Sequence, residues 1–119
     1  MPSVRAHLLR SLILYELPIE PTVAKLASFG WDCNEPEAWL SADDIATVLR
    51  RFVTGELNAA QVTDWADLVE CREDIDFVQG QEELAEVIFQ LANPNLREEI
   101  SLELIARLQA KVQQIAGHG

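Results

Sequence analysis

Three short stretches of this chain carry the same helix-starting device. They are Leu40-Ser41-Ala42-Asp43-Asp44-Ile45, Leu57-Asn58-Ala59-Ala60-Gln61-Val62 and Ile100-Ser101-Leu102-Glu103-Leu104-Ile105. In each, an apolar residue precedes a capping side chain, and a second apolar residue stands four places beyond the cap. The cap accepts from orphan N–H groups of the first helical turn, and the two apolar residues close over it as a hydrophobic staple. Gln61 completes a capping box with Asn58, and Asp44 offers a poorer version to Ser41. Each cap contributes roughly 1 kcal/mol, so local chemistry alone sets three helix starts.

The remaining periodicity is helical as well. Ser3 caps a first helix with Val4, Leu8, Leu9, Leu12 and Tyr15 inward, stopped at Leu17-Pro18. Pro21 suits the first turn of a short second helix with Val23, Leu26, Ala27 and Phe29 inward, ended by Gly30 and followed by a loop over 31–36. Helix three turns Ile45, Val48, Leu49 and Phe52 inward and stops at Gly55. Helix four is expected from about Ala59 to Glu73. Helix five follows Gly80, with Leu84, Val87, Ile88 and Leu91 inward, and ends at Asn93-Pro94; helix six faces Ile105, Leu108, Val112 and Ile115 inward. Only Leu17–Ile19 and Ile75–Val78 read as extended, and neither alternates over more than a few residues. The expected fold is all-α: one compact domain over residues 1–119, a bundle of five to six helices with no sheet. A chain of 119 residues buries roughly two-thirds of its unfolded surface and needs no disulfide to fold. Cys33 and Cys71 are expected as two free thiols. With no stretch of 18 apolar residues and no cleavable leader pattern, the expected location is cytoplasmic.

Charge narrows the partners. The net charge is −11, and residues 31–99 hold four bases against seventeen acids. Phosphate contact needs clustered Lys and Arg, so nucleic acid is disfavoured, as is an anionic membrane surface. A basic protein partner is favoured, because opposite fields speed encounter and reject wrong partners.

Helix four concentrates that acidity. A helix advances roughly 100° per residue, which groups Val62, Trp65, Leu68 and Val69 on a core stripe. Asp67, Glu70 and Asp74 fall on the opposite side, bordered by Asp64 and Cys71. Arg72 falls about 20° from Trp65, on the core side. It is expected to reach a carboxylate distant in sequence or the last helix carbonyls, tying helix four to its neighbour. Glu73, Asp74 and Asp76 gather where the helix should end, an unfavourable place for acids beside the negative end of the helix dipole. Asp76 opens Asp76-Phe77-Val78-Gln79, which reads as a capping box for the next turn; Glu73 and Asp74 have no such reason, and rules broken without compensation point to function. The candidate partner-binding face is Asp64, Asp67, Glu70, Glu73, Asp74 and Asp76. A cation held by Asp67, Glu70 and Asp74 is disfavoured, since one helix face offers poor octahedral geometry.

Catalytic constellations are thin. His7 and His118 are the two histidines, and neither stands in a Cys-His or Ser-His setting. There is no phosphate-cradling glycine loop and no zinc spacing. No catalytic residue, metal ligand or cofactor is assigned. Trp65, Phe52, Phe29 and Phe89 match core spacing, while Trp31 and Trp39 flank the loop before helix three and are expected to pack under it; partial exposure is the alternative and would make either an interface anchor.

Two resemblances add to this. Glu82, Glu83 and Glu86 spell EExxE on helix five, which resembles the first half of the motif of the all-helical MazG-like nucleotide pyrophosphatases. It implies, as the alternative reading, a magnesium-dependent nucleotide hydrolase using those three glutamates. The family's second half, ExxD on a later helix, is missing, since no aspartate follows Asp76. The stretch GELNAAQVTDWADLVECREDIDF, with LANP further on, resembles small acidic helical bacterial proteins of unassigned function, over residues 55–94. By class analogy such proteins include immunity proteins and antitoxins that bind basic toxins. The expected function is therefore a non-enzymatic acidic protein that binds a basic partner.

Overall fold

A computed structural model describes residues 4–29 and 35–117. The expected roles of Ser3, Gly30, Trp31, Cys33 and His118 lie outside the described residues. The elements in chain order are α1 (Val4–Ile13), α2 (Glu20–Ala27), β1 (Ala38–Leu40), α3 (Ala42–Val53), α4 (Ala59–Glu70), β2 (Ile75–Phe77), α5 (Leu84–Ala92) and α6 (Leu102–Gly117).

The three cap devices act as their sequences require. Ser41 Oγ accepts from the N–H of Asp44 at 3.2 Å, and the Asp44 carboxylate accepts from the N–H of Ser41 at 3.0 Å. Asn58 and Gln61 make the same reciprocal pair at 2.8 and 2.9 Å. Ser101 Oγ accepts from the N–H of Leu104 at 3.1 Å. The staples at the first two starts are buried: Leu40 with Ile45, and Leu57 with Val62.

α4 packs chiefly on α5, and α3 chiefly on α6, with α1 laid across α2 and α4. The core stripes of α3, α5 and α6 are those the spacing predicts, except that Phe52 is only half-buried. The inward face of α1 is Leu9, Leu12 and Ile13, whereas Val4 is exposed and Leu8 half-buried. Ala27 and Phe29 at the end of α2 are also exposed. At the centre Trp65 is fully buried, and its Nε1–H donates to the carbonyl of Ile13 at 2.9 Å. A buried indole needs such a partner, and here the bond pins α4 to the end of α1. The chain leaves α1 through Tyr15, buried and at φ 50°. Arg51 Nη1 holds this left-handed exit by donating to the carbonyls of Leu14 and Tyr15 at 2.7 and 3.1 Å.

The expectation of no sheet is corrected. β1 and β2 form a parallel pair in which Ala38 faces Ile75, Trp39 faces Asp76 and Leu40 faces Phe77. The chain crosses from one to the other through α3 and α4, as a parallel pair demands. β2 falls on the stretch that reads as extended, whereas the three residues of β1 are too few for alternation to register against a helical background. The domain is mainly α with this small sheet on one side. Among the described residues no helix is long and apolar enough to cross a membrane.

Candidate functional site

The expected acidic face divides into three parts. α4 ends at Glu70, a turn earlier than expected, so the residues beyond it do not continue its faces. Asp64, Asp67 and Glu70 remain on the exposed side, opposite the buried Val62, Trp65, Ala66 and Val69. Their spacing of three residues places the side chains next to one another along the helix. Glu73 is exposed in the turn after α4, and Asp76 is exposed on β2. Asp76 Oδ1 accepts from the N–H of Phe77 at 2.7 Å instead of capping a helical turn.

Asp74 is the correction within the set: it is fully buried, not part of an outward row. Arg72 grips it with two bonds, Nε to Oδ1 at 2.8 Å and Nη2 to Oδ2 at 2.9 Å. Arg5 on α1 adds Nε to Oδ2 at 2.8 Å and also lies 3.4 Å from Glu37. The main-chain carbonyl of Asp74 accepts from the N–H groups of Glu37 and Ala38 at 2.8 and 3.1 Å, which starts the parallel pairing. The misplaced acid at the helix end is thus compensated, by an arginine that is 69 residues distant in sequence. Burial alone would push the Asp74 carboxyl up. The bonds from Arg72 and Arg5, with their charges, outweigh burial and hold its pKa below the ordinary 3.8. Arg72 is on the core side as expected, yet its carboxylate is two residues away, and the tie to α1 runs through Asp74 and Arg5.

The other buried acid follows the same rule. Asp44 caps α3 and receives Arg10 from α1, Nη1 at 3.0 Å and Nη2 at 2.6 Å. On the surface Glu56 pairs with Arg51, Glu86 with Arg97 and Glu98 with Arg107. The row on α4 differs: among the described residues, no base pairs with Asp64, Asp67 or Glu70. From Phe52 to Leu96 the chain has ten acids and one base, Arg72, already committed to Asp74. Partial desolvation, then the charge of Asp64, raises the pKa of Asp67 above 3.8. Partial desolvation, then the charge of Asp67, raises that of Glu70 above 4.5. Burial, then Asp64 and Glu20, raise the Tyr15 hydroxyl, with Arg51 opposing them. The row is a strip of like charge in which Asp67 and Glu70 hold their protons more tightly than free carboxyls do.

Asp64 also lines a cleft of about 450 Å³ between the start of α4 and the connection from α5 to α6. Its walls include Ala59, Ala60, Thr63, Pro94 and Ile100, with Glu99 as a second carboxylate. Segments far apart in sequence build this cleft, so no local pattern reveals it.

The glutamates of the EExxE stretch are arranged differently from the expectation. Glu82 and Glu83 lie in the turn before α5, not on it. Glu82 Oε1 accepts from the N–H of Gly80 at 3.2 Å, and Glu86 pairs with Arg97. Among the described residues no three His, Cys, Asp or Glu side chains are placed to hold one metal ion. Cys71, a free thiol, and His7 are both exposed. Trp39 departs from the expected packing under a loop, being 51% exposed. No protein-family model, curated protein or solved structure matches the chain.

Proposed function

We propose that the protein is a non-enzymatic binding module that presents the exposed acids of α4 and β2 to a basic protein partner. An inhibitor of the immunity or antitoxin type is its concrete form. The observation that carries this reading is the row Asp64, Asp67 and Glu70: three adjacent carboxylates that no base pairs with among the described residues, on a helix whose opposite face is used by the core. Adjacent like charges on a helix cost about 0.2–0.5 kcal/mol per pair, and a basic partner would turn that cost into attraction. Glu73 and Asp76 extend the surface; Asp74 belongs to the fold.

The test compares retention of proteins from the native cell lysate by the parent chain and by the double variant Asp67→Lys, Glu70→Lys. A basic protein held by the parent at low salt, released at high salt and not held by the folded variant is the expected result. Retention indifferent to both salt and charge reversal would contradict the reading, because exposed charges act through a screened field.

A further inference from the structure

The fold twice builds the same three-part arrangement, an aromatic ring, an arginine and a carboxylate. The Arg5 guanidinium lies 5.8 Å from the centre of the Phe29 ring and also binds Asp74. The Arg97 guanidinium lies 5.6 Å from the centre of the Phe89 ring and also binds Glu86. In each, the ring face attracts the flat cation while the carboxylate orients it.

The outer face of the small sheet presents two of these three parts. Register partners of a parallel pair lie on one face of the sheet, about 4.8 Å apart. Ala38 and Leu40 are buried and Ile75 and Phe77 half-buried, so these four form the inner face. Trp39 and Asp76, opposite one another in the register, therefore stand side by side on the outer face. Trp39 is 51% exposed and Asp76 is exposed. Oδ1 of Asp76 accepts from the N–H of Phe77, and Oδ2 has no partner among the described residues. Among those residues no arginine or lysine lies over the Trp39 ring or pairs with Asp76.

We propose that Trp39 and Asp76 form a docking point for an arginine side chain of a basic protein partner, whose guanidinium stacks on the indole and binds the Asp76 carboxylate. This rests on the reading of the protein as an acidic binding module and adds to it an aromatic anchor. Trp is enriched among residues that dominate interfaces, and a partly exposed indole supplies contact area at low entropic cost. Arginine is favoured over lysine because only a planar guanidinium satisfies ring and carboxylate together. The chain's charge of −11 complements such a partner and opposes an anionic lipid surface.

The test titrates the full chain, with every nitrogen isotopically labelled, with a blocked tetra-arginine peptide at low salt. The Trp39 indole resonance is assigned by its disappearance in Trp39→Phe. It should shift and saturate, and tetra-lysine should move it less. Asp76→Asn, which keeps an oxygen for the Phe77 N–H, should weaken the apparent affinity at Trp39 about three- to fivefold. The charge-matched control Glu103→Gln should change it less than twofold. If the amides of residues 64–70 shift while the Trp39 indole stays still, the α4 row binds cations and the Trp39 site is wrong. The site is equally overturned if Asp76→Asn behaves like the control, or if the Trp39 indole responds to phosphatidylcholine vesicles and not to the peptide.

Discussion

Two sets of carboxylates in this molecule are treated in opposite ways. Asp74 and Asp44 are buried, and each is gripped in a two-pronged fashion by an arginine brought from elsewhere on the chain or across a turn. Asp64, Asp67 and Glu70 stand a few residues from Asp74 in sequence, yet among the described residues no base pairs with them. The first set organises the fold. Asp74 joins α1, the end of α4 and both strands, and Asp44 joins α1 to the start of α3. The second set costs the fold a little and organises nothing in it. Both buried carboxylates are met by an arginine, whereas none meets the α4 row among the described residues, which is what supports the proposal that this face serves a partner.

Removing Arg72 or Asp74 as Arg72→Ala or Asp74→Ala should cost about 3–5 kcal/mol in urea unfolding, because each leaves a buried charge short of its partner. A loss below about 1 kcal/mol would erase the distinction between the two sets. Arg10→Ala should cost less, about 1–2 kcal/mol, since Arg10 is half exposed and Asp44 keeps its bond to the Ser41 N–H.

The pH dependence of stability should separate the sets by sign. A carboxyl held below its ordinary pKa in the folded state contributes stability above that ordinary value, and the contribution is lost as pH falls through the folded value. Asp74 is of this kind. Asp67 and Glu70 are the reverse: their raised values mean that ionisation opposes folding at neutral pH, and stability returns as pH falls through those values. Acidifying from neutrality should therefore first raise or hold the urea midpoint and then lower it. Neutralising Asp67 and Glu70 as Asp67→Asn, Glu70→Gln should remove the early rise, and Asp74→Asn should shrink the later fall. A midpoint that falls steadily from neutrality in all three chains would show that the two sets do not differ.

The helices were legible because caps, staples and apolar spacing act over four or five residues, which a sequence shows directly. Ser41, Asn58 and Ser101 all cap as their neighbours require. Of the sheet, only the extended stretch at Ile75–Val78 was legible; β1 is three residues long, and the pairing spans α3 and α4. Asp74 was misassigned for a related reason. Its outward angle holds only if α4 continues, but Arg5 and Arg72 draw the carboxylate inward and the helix stops at Glu70. The inward setting of Arg72 was readable from its angle to Trp65, while the identity of its partner was not. Asp64, Asp67 and Glu70 fall within the helix proper, and their outward face was readable in full. The exposure of Trp39 depends on how β1 meets β2, which no local pattern of residues encodes.

The most direct measurement is the unfolding free energy, at neutral pH and low salt, of a chain carrying Asp64→Asn, Asp67→Asn and Glu70→Gln together. The account predicts a protein more stable than its parent by a few tenths of a kcal/mol, with the gap closing as salt is added. A protein less stable than its parent would mean that the row serves the fold after all, and the claim that it is held for a partner would be contradicted.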